Sequence, residues 1–160
     1  SVVNNSAVIF TEVDNTKPFT FTAKVQPEFT ETGTYSAGVI YAYENDTHCQ
    51  KLCFEQDEYG DHRVVSVRTL GTSDDNNHQA ITAPYVYMRL SSDGTTLGSY
   101  FSEDGKIWRM ARLYKNDFPE KLLIGISSQS PKDNEHTCLF TEVSLTDKPV
   151  ADFRKGNIAE

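Results

Sequence analysis

Apolar and polar residues alternate along most of this chain with the two-residue period of a β-strand rather than the longer period of a helix. The pattern is sharpest in Tyr85–Leu113. Val86, Met88 and Leu90 fall on one face there, and Tyr85, Tyr87 and Arg89 on the other. Leu97, Ser99 and Phe101 share a face in the next run, opposite Gly98, Tyr100 and Ser102. Ser92-Asp93-Gly94 and Glu103-Asp104-Gly105 punctuate the runs. Asp-Gly between aromatic and β-branched runs is a strong hairpin signal, so the stretch predicts three antiparallel strands in sequence.

The same reading extends to both ends. Ala7–Val13 and Phe19–Val25 predict strands, the second with Phe19, Phe21, Ala23 and Val25 on one face. Tyr35–Tyr43 is mostly apolar, as an interior strand would be. His48–Gln56 sets Leu52 and Phe54 against Lys51, Cys53 and Glu55, and Arg63–Leu70 sets Val65 and Val67 against Ser66 and Arg68. Leu122–Ser128 and His136–Leu145 complete the set. Gly71–Ala83 is polar and reads as a long surface loop, a place where function often sits. About ten strands without an amphipathic helix predict an all-β, antiparallel two-sheet sandwich. One domain is expected over residues 1–146, followed at 147–160 by a tail forming a peripheral turn or a disordered end.

Charge narrows the partners. The net charge is −8 over 160 residues, which argues against nucleic acid and against an anionic membrane surface, since both require a basic patch. Mean hydropathy is −0.51, and no apolar run approaches the ~18 residues of a membrane helix. The three cysteines are Cys49, Cys53 and Cys138. Cys49 and Cys53 lie four residues apart on one predicted strand, about 13 Å, too far for a disulfide. Reduced thiols and a cytoplasmic location are expected.

The chain carries no P-loop, dinucleotide fingerprint or nucleophile elbow. His48, His62, His78 and His136 lack metal-ligand spacing. Asp74-Asp75-Asn76-Asn77 offers oxygen donors without the ordered spacing of a calcium loop. No cofactor and no catalytic residue are expected. Glu55-Gln56-Asp57 begins the alternate-carboxylate run of sandwich glucanases, but Tyr59 breaks it and a solvated strand end is the better account. The sheet face turned away from the core is more informative. Alternation assigns it Lys51, Glu55, Arg68, Tyr87, Arg89 and Tyr100. Tyrosine rings stack on the apolar faces of sugars, and charged groups bond to hydroxyls. Neutralisation of these charges across strands is the competing account. Trp108 is expected to pack against the sandwich.

Several short motifs occur in a recognisable order: Ala37-Gly38-Val39-Ile40, Lys51-Leu52-Cys53-Phe54-Glu55, Ser66-Val67, Gly71-Thr72-Ser73-Asp74, Met88-Arg89-Leu90, Phe101-Ser102-Glu103-Asp104-Gly105-Lys106-Ile107-Trp108-Arg109 and Ser128-Gln129-Ser130-Pro131. From about Ala7 to Leu145 this string resembles a family of concanavalin-A-like sandwich proteins, mostly of unassigned function, that includes the fungal regulation of enolase protein. The resemblance implies a lectin/glucanase-like jelly roll, a further aromatic-rich stretch ahead of the equivalent of Ser1, and a non-catalytic cytoplasmic protein that influences enolase. Relatives often carry aromatics at the positions of Cys49 and just after Asp74, where this chain does not. The expectation is therefore an interaction module with enolase as partner, its contact surface the sandwich face or the Gly71–Ala83 loop. A saccharide-binding module is the alternative, and a glycoside-cleaving enzyme centred on Glu55 the third reading.

Overall fold

A computed structural model describes residues 7–132 and 135–158. Eleven strands are formed among them: β1 (Ala7–Asp14), β2 (Phe19–Pro27), β3 (Ala37–Asn45), β4 (His48–Gln56), β5 (His62–Leu70), β6 (Thr72–Ala80), β7 (Val86–Ser92), β8 (Thr96–Ser102), β9 (Arg109–Lys115), β10 (Lys121–Gln129) and β11 (Cys138–Thr146). They make two antiparallel sheets, one in the order β1-β10-β3-β4-β5-β6 and the other β11-β2-β7-β8-β9. The meander predicted from the sequence is β7-β8-β9. Its two turns are built alike. Asp93 Oδ1 accepts the backbone N–H groups of Thr95 and Thr96 at 2.9 and 2.7 Å, and Asp104 Oδ1 accepts those of Lys106 and Ile107 at 2.8 and 2.9 Å. The glycine after each aspartate, Gly94 and Gly105, takes a positive φ that a side chain would resist.

The sheets pack through the faces that alternation assigns to the core. Phe19, Phe21, Ala23 and Val25 from β2 join Met88, Leu90, Leu97 and Phe101 from β7 and β8. Opposite them lie Ile40, Leu52, Phe54, Leu122 and Ile124 of the six-stranded sheet. Full burial of each such side chain stabilises by roughly 1.5–3 kcal/mol. A second apolar cluster, Ala37, Val39, Tyr41, Cys53 and Val65, forms on the other side of the six-stranded sheet. That sheet is therefore apolar on both faces over its central strands.

The structure departs from the sequence reading in three places. Gly71–Ala83 is not a loop: residues 72–80 form strand β6, paired along β5 from Leu70↔Thr72 to Arg63↔Ala80. It is an edge strand, exposed along its length except for His78, so nothing selects apolar residues there. The strand expected from Tyr35 starts at Ala37, because Tyr35 sits in a left-handed turn with φ 67°. The last strand is broken by a bulge between Thr141 and Ser144, where Glu142 has φ 50°.

Beyond β11 the chain turns back onto the five-stranded sheet. Thr20 Oγ1 donates to the Lys148 carbonyl at 2.6 Å, and Val150 N–H to Ser91 Oγ at 2.9 Å. Ala151 N–H to the Asn157 carbonyl closes the segment into a loop.

Candidate functional site

The six residues expected on one face occupy three separate places. Tyr87, Arg89 and Tyr100 lie on the outer face of the five-stranded sheet, with Arg89 directly across from Tyr100. The tail covers that face. Arg89 is buried, donating from Nε to Thr22 Oγ1 at 2.9 Å and from Nη1 to the Gly156 carbonyl at 2.7 Å. Its guanidinium stacks on Trp108, 3.7 Å from the ring centre. Burial pulls its pKa down to about 10. Tyr100 lies flat over Gly98 and under Gly156, and its hydroxyl donates to the Phe153 carbonyl at 2.6 Å. Tyr87 donates to Glu142 Oε2 at 3.2 Å, while Lys24 reaches over its ring. These groups hold the tail and the edge strand; they do not form an open binding face.

Arg68 points the other way. It shares a register position with Gln50, whose side chain is buried between the sheets and accepts the Tyr114 hydroxyl at 2.7 Å. The Arg68 guanidinium lies 3.8 Å from the Tyr114 ring centre and pairs with Asp117 at 3.1 Å. The faces of β5 are thus inverted relative to expectation. Val65 and Val67 face outward, while Ser66 and Arg68 face inward, because both sides of this strand touch apolar surface.

Lys51 and Glu55 remain, on the outer face of the six-stranded sheet. The strand register lays out this face in rows. One runs Phe10–Gly125–Tyr41–Lys51–Val67–Asp75, and the next runs Ser127–Val39–Cys53–Val65–Asn77. Toward β1 the face is aromatic. Phe10 stacks on Tyr43 with ring centres 5.2 Å apart and meets Tyr41 edge-on at 6.0 Å. Lys51 Nζ stands 5.3 Å from the centre of Tyr41, whose hydroxyl accepts from Gln129. Tyr43 donates to Asp46, and that bond pushes its pKa up to about 12. The buried Cys53 thiol is held protonated by desolvation, which makes it a poor nucleophile. Ser127, buried in the floor, has a hydroxyl with no partner among the described residues.

Toward β6 the face opens into a cleft of about 580 Å³, lined by Tyr35, Glu55, Glu58, Asp75, Asn76 and Asn77 above Val65 and Val67. Asp57 borders it but is committed elsewhere. It accepts Arg63 Nε at 2.8 Å and the backbone N–H groups of Tyr59 and Asp61, each at 2.9 Å. Burial alone would raise its pKa; the Arg63 and backbone bonds outweigh burial and hold it below the usual carboxylate range. Glu55 has no such donors among the described residues. Burial, then the charges of Asp75, Glu58 and Asp57, push it up to about 7, and Lys51 offsets little of this. Lys51 and Glu55 are four residues apart on one strand and form no ion pair, so neutralisation across strands does not account for them. Tyr35 is a lining residue the sequence did not suggest, and Asp75 and Asn77 were expected only as oxygen donors in a loop. Alternation along β6 sends Asp75 and Asn77 to the cleft and Asp74 to Arg112 on the opposite side, 3.1 Å away. The four consecutive oxygen donors therefore cannot converge on one ion. Among the described residues, no cluster of three or more His, Cys, Asp or Glu is placed to hold a metal.

Two face-packed antiparallel sheets with these groups on one outer face make this an all-β sandwich of the lectin/glucanase jelly-roll class. It is similar to a functionally unknown protein from Saccharomyces cerevisiae, with a TM-score of 0.77 and 25% identity over 87% of this chain and 73% of that one. The chain belongs to the DUF1349 family of proteins of unknown function, whose family model matches residues 1–148. More distant likenesses show the fold alone. A xylan β-1,4-xylosidase from Bacillus halodurans aligns at a TM-score of 0.66 and 14% identity over 81% of this chain but 27% of its own. Lectin I-B4 from Griffonia simplicifolia, in its metal-free form, aligns at 0.59 and 11% over 88% and 80%. No protein of curated function matches the chain.

Proposed function

We propose that the protein is a non-catalytic binding module that takes a saccharide on the outer face of its six-stranded sheet. One observation carries the reading. The outer face of the six-stranded sheet holds a cleft of about 580 Å³ above Val65 and Val67, and the half-buried rings of Phe10 and Tyr43 lie on the same face toward β1, packed on a buried apolar cluster that includes Tyr41. Rings beside an apolar floor suit the apolar faces of pyranoses, and the polar rim of Lys51, Gln129 and Asn77 suits their hydroxyls. The test is a glycan screen read by thermal shift, repeated with Tyr43→Ala. A saccharide-dependent rise in melting temperature that Tyr43→Ala removes supports the reading. A flat screen with the unaltered protein overturns it.

A second reading, glycoside cleavage, draws on the cleft that Glu55 and Asp75 share, since a carboxylic acid raised to about 7 with a second acidic side chain across the cleft resembles an acid/base pair. Release of reducing sugar by the unaltered protein but not by Glu55→Gln would establish it. The family resemblance supports one protein partner, enolase, and binding of purified enolase to the immobilised chain tests that directly.

A further inference from the structure

Strand β6 supplies Asp75 and Asn77 to one wall of the cleft on the proposed binding face, yet little fastens it there. It is the last strand of its sheet and pairs on one side only. Its ladder with β5 shifts register between Val65↔Asn77 and Arg63↔Ala80, so His78 and Gln79 lie in a bulge where pairing is interrupted. Eight of its nine residues are exposed, so apolar burial cannot hold it. The Asp74 pair with Arg112 and the Gln79 bond to Glu103 are exposed and screened by solvent. At the far end Ser73 Oγ meets Thr69 Oγ1 at 3.0 Å.

His78 is the exception. The alternation that sends Asp75 and Asn77 outward turns His78 inward, where its Nε2 lies 3.0 Å from Ser66 Oγ on β5. Ser66 is fully buried. The imidazole centre stands 5.9 Å from the ring centre of Phe101, on β8 of the opposite sheet. His78 is thus the one half-buried side chain of β6, and it touches both sheets. The charges around it are of one sign. Arg112 acts on it from β9, and Arg63 of β5 donates to its carbonyl at 2.8 Å. Among the described residues no carboxylate pairs with it. Asp74, four residues back and about 13 Å away along the strand, is taken by Arg112, and Glu103 of the β8–β9 turn is bonded to Gln79. Burial, then Arg112, hold the His78 pKa below the usual histidine range.

We infer that His78 is an acid-sensitive latch on β6: its protonation frees the strand from the sandwich and takes down one wall of the proposed binding cleft. The consequence for binding rests on the saccharide-binding role; release of the strand does not. With β6 open, His78 takes a proton near its ordinary value of 6.5, whereas with β6 closed it resists until lower pH. The closed state is therefore fully favoured above 6.5. It loses ground as pH falls, by up to about tenfold per pH interval of one, until the closed form also protonates. Glu55 acts in the opposite sense. Burial and then Asp75 of β6 push its carboxyl up to about 7, so acid relieves that repulsion and tightens the strand.

Because the two titrations oppose each other, the test sets Glu55→Gln against Glu55→Gln with His78→Gln. Each is followed by amide hydrogen exchange at about pH 7.5 and 5.5, corrected for intrinsic rates. Glutamine at 78 can still bond Ser66 and carries no charge. His62, also held low by burial, is the same in both variants. In Glu55→Gln the protection of the β6 amides is expected to fall about three- to tenfold at the lower pH, with β7 and β8 unchanged. Adding His78→Gln should remove the fall. In the unaltered protein, NMR should find the His78 ring titrating below 6.5, a readout that needs no variant. An equal fall in both variants, a fall shared by β7 and β8, or a ring titrating at 6.5 or above overturns the latch. A glycan screen flat at both pH values overturns the binding role and leaves the latch standing. A saccharide held equally at both pH values by Glu55→Gln, while β6 opens, overturns the regulatory consequence alone.

Discussion

Replacing Glu55 by glutamine tests the electrostatics of the cleft without reference to any ligand. The side chain keeps its shape and loses its charge. In the folded protein Glu55 titrates at about 7, against an ordinary value of 4.5. A carboxyl whose pKa is raised on folding destabilises the native state once it must ionise. Below about pH 4.5 it is protonated folded or unfolded, and the term vanishes; between 4.5 and 7 the penalty grows, and above 7 it is complete. At about 1.36 kcal/mol per pH interval of one, the full penalty is about 3 kcal/mol. Solvent reaching the half-buried side chain screens it to about 2 kcal/mol. Integrated to pH 5, only about a quarter of it has developed. Glu55→Gln should therefore raise the melting temperature by about 4–8 °C at pH 8 and by about 1–2 °C at pH 5, for a chain of this length. Circular dichroism melts at the two pH values read the difference. Equal gains at both, or a loss at pH 8, would show that Glu55 is not crowded by Asp75 and Glu58.

Three further outcomes follow from the packing. Gly156→Ala places a methyl group 2.3 Å from Tyr100 Cδ1 at a residue with φ 74°, so the tail should lift at a cost of about 1–3 kcal/mol; the emission of Trp108, the only tryptophan, reports it, and trypsin should cut faster at the exposed Arg154 and Lys155. Arg89→Lys loses the flat stack on Trp108 and the paired bonds to Thr22 and Gly156; urea denaturation should register a loss of about 2–3 kcal/mol, and a change under 0.5 kcal/mol would refute the role given to the guanidinium. Asn15→Ala strips the donor that joins the end of β1 to Asn116 and to the Phe118 and Pro119 carbonyls; the expected loss is about 2–3 kcal/mol, and slow exchange of the amides around β1 should collapse with it.

The hairpins and most of the core were legible because there a single physical demand acts on each position. Asp-Gly turns declare themselves locally, and β2, β7 and β8 each send one apolar set of alternate residues between the sheets, although the other set is buried as well, Arg89 and Tyr100 under the tail. The legibility failed where two demands overlapped or none acted. Strand β5 has apolar contact on both sides, so Val65 and Val67 read as core, and Arg68 was placed outside when it lies between the sheets. Strand β6 is held by backbone pairing and carries no apolar signature. Its only local cue was Gly71, the positive-φ residue between two runs of pairing. Reading β6 as a loop left Asp75 and Asn77 as undirected oxygen donors and hid the cleft they line. Arg89 and Tyr100 were assigned correctly to an outer face, but no periodicity could foretell that a segment some fifty residues later would cover them; their long-range bonds to residues 153 and 156 exist only in three dimensions.

The wholly hydrophilic rim strand also bears on how copies of this molecule can associate. Among the described residues the six-stranded sheet ends in two unpaired margins, β1 and β6. The first presents Ile9, 71% exposed, beside Phe10, whereas the second shows water two aspartates and two asparagines in succession. A layer that is adhesive along one border only can join a twin once and then has nothing left to offer, so growth ends at a pair instead of running on into a fibre.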